Sequence, residues 1–468
     1  MTLFVRDRSF YRKLLQIAIP VVLQSVITIG INMMDTLMVG QLGEAPLSAT
    51  SLANDFINLF QILCFGLGYG AAVLTSQYWG QQDILSFRKV VTIMLRLCLV
   101  ISSIFTLATF LVPGTIMRMY TPDQELIRQG ILYMSISVLT FIPTGISLTI
   151  TAVLRSYGEV RISLLSSIGA FFINIFFNWV FIYGNLGAPR MEVKGAALGT
   201  LIARLFEMII IFGYFVVVDK KVRYRIKDFF ISCKGYYKLY ITYSIPVLIS
   251  DMFLGVGNSM ISVIMGHIGS SFVAANAIVS QVTRLTTIFT SGVSNASSVI
   301  TGNTLGEGDT KKTYDQGITF LSISVILGLV AGGILLIICP FIVNFFAISE
   351  DASKIAYEMM FAIAFLMIFN SVQGVLTKGV LRGGGDTRFL MAADVLFLWL
   401  VSIPFGALAG LVFHLPAFWI YTALRADYII KSIWCTYRLF QGKWMKSVSV
   451  GDAPLILKEP ELEQSEIA

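Results

Sequence analysis

The chain has 468 residues, of which 56% are hydrophobic and 13% charged, with a mean hydropathy of +0.79 and a net charge of +7. So much apolar residue with so little charge excludes a soluble globular protein and indicates a polytopic membrane protein. The five cysteines are scattered and the two histidines have no partner at ligand spacing, so the sequence offers no disulfide or metal framework. It also contains no Walker motif, which argues against an ATP-driven pump.

Residues 1–15 are basic and lead directly into an apolar run without a small-residue cleavage site. We interpret them as a cytoplasmic N-terminus before an uncleaved first helix. Beyond them, windows of about 20 apolar residues predict twelve membrane-spanning helices. The predicted spans are 16–40, 53–78, 90–113, 127–153, 162–184, 195–218, 239–265, 276–302, 315–340, 355–377, 389–412 and 417–440.

A long polar connector, 219–238, separates six spans from six spans. It predicts an all-α protein of two six-helix lobes, at 16–218 and 239–440. Residues 441–468 become acidic and contain two prolines near the end, which predicts a disordered cytoplasmic tail.

Lysine and arginine fix the expected orientation, because cytoplasmic loops of membrane proteins are enriched in both. With the N-terminus inside, most of the 34 basic residues fall in inner segments. The charge of +7 then reflects membrane topology and needs no nucleic-acid partner. Both termini are expected in the cytoplasm. The basic residues left in outer loops are Arg118, Arg128, Arg190, Lys194 and Lys354.

The two halves repeat each other in sequence. Ile19–Gly43 is answered 226 residues later by Ile245–Gly269, and the residue in register with Asp35 is Ile261. An even number of spans in each half gives both copies the same orientation, so we expect a parallel repeat with substrate bound between the lobes. Since only one copy keeps an acid in its first helix, the two halves are expected to be functionally unequal.

Asp35 is the acid inside the first predicted span, about 22 Å along the helix from Pro20 at 1.5 Å per residue. A carboxylate at that depth is costly unless paired, protonated or hydrated, so it predicts a site that loads and releases a proton or small cation. The structural alternative is an acid paired with Arg96 or Arg204. Asn32 lies one helical turn below Asp35 on the same face.

Asn174 and Asn178 stand four residues apart in the fifth span and therefore share a helix face. Two amide oxygens beside a carboxylate are ligands that Na⁺ prefers, and the amide N–H groups can equally hold a protonated acid. A Na⁺ site at Asp35, Asn174 and Asn178 is therefore possible. The structural alternative is hydrogen bonding between helices.

Several further acids lie in apolar spans, and Asp251, five residues after Pro246, is predicted to face the lobe interface. Acids in an apolar cavity favour lipophilic cations as substrates. The structural alternative for Asp251 is an ion pair with Arg284. The other acids are Asp55, Glu207, Asp394 and Asp427.

The motifs together resemble those of the multidrug and toxic compound extrusion (MATE) transporters. The resemblance covers residues 17–440. It rests on NxxDTLMVG in the first helix, SQYWGQQD and its echo GNTLGEGD, LRSYGE with LRGGGDT on the inner side, and GAALGT opening the sixth span.

The resemblance implies export of cationic amphiphilic compounds in exchange for Na⁺ or H⁺, with lobes that alternate between two openings and no cofactor. It implies that Asp35 is the cation-coupling carboxylate, with Asn174, Asn178 and Thr200 as its neighbours. Pro20 is implied as the point where the first helix bends.

One branch of the family carries further coupling acids, and by alignment those positions here are Leu254 and Asn370. We therefore carry over only the N-terminal site and leave coupling in the C-terminal lobe open. For the substrate cavity we name Asn32, Asp251 and Asn370.

The sequence thus predicts a monomeric, multi-pass antiporter of the cell membrane that binds cationic amphiphiles and lipid and is not an enzyme. A flippase for lipid-linked oligosaccharides has a similar two-lobe plan but needs a strongly basic cavity. A membrane enzyme would need a catalytic dyad, and none is found. The basic residues within spans form no cluster in sequence; they are Arg96, Arg204, Arg284, Arg425 and Lys431.

Overall fold

The computed structural model describes residues 4–345 and 350–448, and its secondary structure is helical throughout. The helices of the first half are α1 (Arg8–Gly40), α2 (Glu44–Gly80), α3 (Ile84–Leu111), α4 (Pro113–Tyr120), α5 (Gln124–Ser137), α6 (Phe141–Ser156), α7 (Arg161–Tyr183) and α8 (Val193–Gly213). Those of the second half are α9 (Tyr236–Ile268), α10 (Ser270–Gly306), α11 (Thr310–Phe345), α12 (Glu350–Val375), α13 (Thr387–Phe397), α14 (Ile403–Ala407), α15 (Ala417–Leu424) and α16 (Ala426–Phe440).

Eleven helical segments in the described part of the chain are long and apolar enough to cross a membrane. Some join two helices through a 3₁₀ or π turn, as in Gln124–Ser156. The all-α, multi-helix class is confirmed, but the twelfth predicted span, 417–440, is broken at Arg425. Its two pieces, α15 and α16, have 8 and 15 residues. Neither reaches the ~20 residues of a full crossing.

The repeat is visible in the helix boundaries. Helix α2 begins at residue 44 and α10 at residue 270, and both run for 37 residues. Each first helix of a copy also contains one proline, Pro20 in α1 and Pro246 in α9. The gapless sequence alignment therefore reflects the same helix–turn–helix plan built twice.

By its internal contacts the chain divides into two units. The N-terminal unit comprises Leu23–Thr75 and Asp83–Ser244; the C-terminal unit comprises Met1–Val22, Ser76–Gln82 and the chain from Ile245 onward. The boundary within α1 thus follows Pro20 by two residues. The lobe boundaries expected from the connector stay a prediction.

Each unit has its own apolar core. In the C-terminal unit the core is formed mainly by residues of α9 to α12, including Ile261, Met265 and Val279. In the N-terminal unit buried residues of α1, α5 and α8, among them Met38 and Met134, pack together. These cores hold the helices that carry the polar residues discussed below.

The chain after α16 is folded for at least eight residues. Trp444 is buried, and a Cβ added to Gly384 would lie 2.3 Å from its ring. Asp386 accepts a hydrogen bond from Arg438 Nε at 2.8 Å and also pairs with Lys446. The prediction of disorder from residue 441 is therefore wrong for 441–448, because the Trp444 indole fills the space that Gly384 leaves by having no side chain. The remainder of that predicted tail lies outside the described residues.

Candidate cation site in the N-terminal unit

Three helices of the N-terminal unit meet around Asp35. Asp35 lies on α1 and is partly exposed, whereas Asn174 and Asn178 on α7 are 1% and 0% exposed. Their spacing of four residues directs both amides to one side of α7, as the sequence predicts. Thr200, on α8, completes the group.

A chain of hydrogen bonds links the four predicted residues. Asn178 Nδ2 donates to Asp35 Oδ1 at 2.6 Å and lies 3.3 Å from Asn174 Oδ1. Asn174 Nδ2 in turn donates to Thr200 Oγ1 at 3.4 Å. The structure thus brings together all four residues, while their role in cation coupling stays a prediction.

One acceptor in this group is left over. The side-chain oxygen of Asn178 is buried and has no hydrogen-bond partner among the described residues. Leaving a buried acceptor unpaired costs ~1–3 kcal/mol. This oxygen and the Asp35 carboxylate are hard ligands of the kind that small cations prefer.

Neither arginine considered as a partner for Asp35 makes an ion pair with it. Arg96 donates to the backbone carbonyl oxygens of Phe229 at 2.6 Å and Ile231 at 3.0 Å. Arg204 pairs with Glu207, Nη1 to Oε2, at 2.8 Å. Within residues 4–345 and 350–448, Asp35 is held by an amide, so its charge is not neutralised by a basic side chain.

Close packing of α7 on α8 sets the position of Asn178. A Cβ added to Gly199 would lie 2.2 Å from Asn178 Oδ1, and one added to Gly195 would lie 2.5 Å from the backbone of Phe181. The GAALGT motif therefore permits close helix approach, as its small residues indicate. Sequence reasoning did not assign Gly199 to the site, although it precedes Thr200.

Tyr133 was likewise not predicted from the sequence to lie in this region. Its side chain is buried on α5, donates to Asn54 Oδ1 at 3.3 Å and belongs to the same apolar core as Met38 of α1. No spacing rule connects α5 with α1, so nothing in the sequence could have pointed to it.

A pocket of about 840 Å³ opens between residues of α1 and α7, and none of Asp35, Asn174, Asn178 and Thr200 lines it. Its walls are methionine and aromatic side chains with a few polar groups at one end. Asn32, Asp251 and Asn370, which the sequence suggests for a substrate cavity, do not line it. The lining residues are Met34, Met38, Gln41, Phe172, Ile175, Phe176, Trp179, Tyr183 and Asn185.

Comparison with known proteins decides the family. The family model MatE matches residues 20–180 and 246–408, more than half of the chain. The chain belongs to the MatE family. The resemblance to MATE transporters noted in the sequence is thereby confirmed, and with it the assignment as a multi-pass membrane transporter.

Relatives and solved structures agree with this MATE assignment. The chain is 21% identical over 446 residues to the uncharacterized transporter YisQ of Bacillus subtilis, covering 94% of this chain and 96% of that protein. It is 26% identical over 417 residues to the probable multidrug resistance protein NorM of Photorhabdus laumondii, covering 86% and 88%. A MOP superfamily transporter from Pyrococcus furiosus has the same fold, with a TM-score of 0.82, 18% identity, and coverage of 92% and 96%.

The other residues predicted for this MATE protein have positions and contacts of their own. Pro20 is inside α1, and Asn32 is exposed on the same helix. In the C-terminal unit, Asn370 Oδ1 accepts a hydrogen bond from Gln373 Nε2 at 3.0 Å. Leu254 packs against the apolar core of that unit.

Asp251 has a different partner from the one the sequence suggested. Its Oδ1 lies 3.7 Å from Arg382 Nη2, and both side chains are largely buried. Arg284 is exposed on α10. The suggested pair with Arg284 is therefore wrong, because the guanidinium that reaches Asp251 comes from a residue 131 positions away in sequence.

The other acids of the C-terminal unit form a buried ion network. Lys431 Nζ lies 3.3 Å from Asp394 Oδ1 and 2.9 Å from Asp427 Oδ2, and each of the three side chains is at most 4% exposed. Ser250 donates to Asp394 at 2.5 Å and Ser402 to Asp427 at 3.1 Å. The two carboxylates thus share one ammonium, and each also accepts a hydrogen bond from its own serine hydroxyl.

Proposed function

We propose that this chain is a secondary antiporter of the cell membrane that exports cationic amphiphilic compounds in exchange for Na⁺ or H⁺. It would act as a monomer, with both termini in the cytoplasm, by alternating access. The observation that carries the proposal is the Asp35 carboxylate, bound by Asn178 Nδ2 at 2.6 Å and by no ion pair among the described residues.

An acid held by an amide, and not by an ion pair, can bind and release a cation. A permanent ion pair would have to be broken before a cation could bind, whereas an amide can turn its oxygen toward Na⁺ or keep donating to the acid. The unpartnered Asn178 Oδ1, Asn174 Oδ1 and Thr200 Oγ1 supply further oxygen ligands close by. These contacts support cation coupling at Asp35, Asn174, Asn178 and Thr200.

The names of related proteins support the substrate class. NorM of Photorhabdus laumondii is described as a probable multidrug resistance protein. The methionine and aromatic walls of the pocket between α1 and α7 suit lipophilic compounds, because thioether and ring surfaces adapt to varied apolar shapes. Asn32, Asp251 and Asn370 remain proposed members of the substrate cavity, and Pro20 the proposed bend of α1.

The energetics allow useful export. One charge moving through 100 mV yields about 2.3 kcal/mol, and about 1.4 kcal/mol corresponds to a tenfold ratio of concentrations. A single coupled cation therefore sustains a substrate gradient of about fifty-fold. For antiport, cation loading at Asp35 and substrate binding must oppose each other.

The basic residues within spans argue against the flippase. Arg204 pairs with Glu207, Lys431 with two aspartates, and Arg425 Nη1 donates to Asn258 Oδ1 at 2.7 Å. Arg96 is held by backbone carbonyl oxygens. Because these four cations are already engaged, they are not free to bind a pyrophosphate group. The fifth, Arg284, is exposed on α10.

Reconstituted transport tests the proposal. We expect purified protein in liposomes to move a fluorescent lipophilic cation under an imposed Na⁺ gradient or an imposed pH gradient, and the effective gradient names the ion. Asp35→Asn removes the exchangeable charge and should reduce gradient-driven transport at least tenfold. Equal transport by Asp35→Asn at equal insertion would make Asp35 a structural acid and would contradict the proposal.

A further inference from the structure

The polar connector, 219–238, separates its acids from its bases. Its two acids are buried, Asp219 at 2% and Asp228 at 4% exposed. Asp219 accepts hydrogen bonds from the backbone N–H groups of Val222 at 2.8 Å and Arg223 at 3.1 Å. Most of the connector's basic residues are exposed instead, namely Lys220, Lys221, Arg223, Lys227, Lys234 and Lys238. The acids therefore stabilise the fold of the connector, while the bases leave a positive outer surface.

Helix α3 holds the backbone of the connector through one of its faces. Arg88, Thr92 and Arg96 follow one another at intervals of four residues and so share that face. Arg88 Nε donates to the carbonyl oxygen of Val222 at 2.9 Å, and Thr92 Oγ1 donates to that of Asp228 at 3.0 Å. Arg96 donates to two further connector carbonyl oxygens, at 2.6 and 3.0 Å. The connector is thus fixed along the first four turns of α3, within the N-terminal unit.

These contacts set the level of the connector relative to the membrane. The apolar span of α3 is predicted to begin at residue 90, so Thr92 and Arg96 lie in its first two turns. The connector backbone that Arg96 binds, at Phe229 and Ile231, lies beside those turns. We therefore expect residues 226–231 to lie where lipid headgroups meet the acyl chains.

Two large apolar side chains project from the connector at this level. Ile226 is 65% and Phe230 78% exposed, and they begin and end a short 3₁₀ helix. Lys227, between them, is exposed as well. The enrichment of bases in cytoplasmic loops explains the lysine, but it does not explain exposed apolar side chains beside it. Apolar and basic side chains exposed together are typical of segments that lie in the interface of an anionic membrane.

Three bases next to this apolar pair have no acid partner in the described part of the chain. Lys221 occupies the nearby acid, Glu159, in an ion pair at 2.5 Å. Lys220, Arg223 and Lys227 are exposed and make no ion pair among the described residues. Arg223 Nε donates to the carbonyl oxygen of Lys220 at 3.2 Å, which keeps these two bases together. One short segment thus carries three positive charges that an anionic ligand can complement.

We propose that residues 220–230 form a docking surface for anionic phospholipids. The headgroup phosphates bind Lys220, Arg223 and Lys227, while Ile226 and Phe230 insert among the headgroups. Because α3 already holds the connector backbone, binding requires little ordering of the chain. In the orientation given under the proposed function, this surface meets the cytoplasmic leaflet. An acidic protein would also suit the bases, but the position of the surface at the membrane edge favours lipid.

A fluorescent reporter on the connector tests the proposal. Phe230→Trp protein is reconstituted in vesicles of phosphatidylcholine and phosphatidylglycerol, with dibrominated acyl chains on one lipid or the other, because bromine quenches nearby indole fluorescence. The parent protein corrects for the six native tryptophans. We expect brominated phosphatidylglycerol to quench the reporter about threefold or more strongly than the same fraction of brominated phosphatidylcholine. This preference should weaken in about 1 M salt, where the Debye length is only ~3 Å.

Charge variants of the reporter protein separate this surface from a general attraction to anionic lipid. The test variant combines Lys220→Gln, Arg223→Gln and Lys227→Gln. We expect it to lose the preference for phosphatidylglycerol while phosphatidylcholine still quenches the reporter. The control variant loses the same amount of charge, through glutamine at three exposed lysines outside the connector, and should keep the preference. The lysines replaced in the control are Lys311, Lys312 and Lys443.

Three outcomes would overturn the proposal. Equal quenching by both lipids before any charge is removed would show that the connector contacts lipid without selecting anions. A reporter that neither lipid quenches would place residue 230 in water and leave the bases for an acidic protein. Loss of the preference in the control variant would show that total charge, and not this surface, attracts the lipid. Thermal unfolding verifies that each variant is folded, and no readout depends on transport or on Asp35.

Discussion

The first helices of the two repeats, α1 and α9, carry different chemistry at the same register position. Asp35 on α1 is partly exposed and accepts a hydrogen bond from Asn178. Its counterpart on α9, Ile261, is 1% exposed within the apolar core of its unit. The two helices thus have the same length and a proline at the matching position, but Asp35 and Ile261 lie in different environments. The duplication preserved the backbone plan, while only one copy kept a place for a carboxylate.

The acids of the two units differ in how their charge is satisfied. In the C-terminal unit, Asp394 and Asp427 share Lys431, and Asp251 faces Arg382. Removing one partner of such a buried pair is strongly destabilising, so we interpret Asp394 and Asp427 as parts of the packing. Asp35 has no ion pair among the described residues. An acid can exchange a cation only if no fixed positive charge holds it permanently.

Introducing the acid into the second copy should have the largest effect on stability. Ile261→Asp places a carboxylate among buried apolar side chains, at a cost of about 3 kcal/mol or more. We expect a strongly lowered midpoint of thermal unfolding in detergent. Ile261→Val, which removes only a methyl group, should cost about 1 kcal/mol. An Ile261→Asp protein as stable as the Ile261→Val protein would show that the two positions are equivalent environments after all.

A smaller change tests whether the position of Asn178 governs cation binding at the N-terminal site. Gly199→Ala adds a Cβ that would lie 2.2 Å from Asn178 Oδ1. The strain of about 1–3 kcal/mol should displace Asn178 from Asp35. We expect the cation concentration for half-maximal transport to change severalfold, without any change of charge.

Gly213→Ala on the same helix is the matched control, because a Cβ there meets no atom within 4 Å. It should leave the half-maximal cation concentration as in the parent. If Gly199→Ala and Gly213→Ala behave alike, the position of Asn178 does not govern cation binding.

Much of the N-terminal site could be predicted because it depends on helix periodicity. Asn174 and Asn178 share a face through their spacing, and a lone acid in an apolar span already marks Asp35. The partners of Arg204 and Asp251 could not be predicted in the same way. Asp251 meets Arg382 through tertiary packing, and hydropathy does not choose between Asp35 and Glu207 as the acid that Arg204 pairs.

Local geometry also limited what the sequence could reveal of the fold. Hydropathy averages over a window, so a single non-helical residue such as Arg425 within the last predicted span goes unnoticed. Likewise the polar composition of residues 441–448 conceals Trp444, whose burial depends on the contour of the Gly384 turn. The length of apolar runs and the placement of charged residues predict where helices lie. The positions of helix breaks depend instead on the residues packed against them.

We expect cation binding at Asp35 to oppose substrate binding. Equilibrium binding of a fluorescent lipophilic cation to the purified protein, titrated with Na⁺ and with pH, measures this directly. We predict that raising Na⁺ or H⁺ weakens probe binding in the parent and in Glu125→Gln, which changes an exposed acid paired with Arg128, but has no such effect in Asp35→Asn. If Asp35→Asn retains the parent's cation dependence, the coupling carboxylate lies elsewhere and the account is wrong.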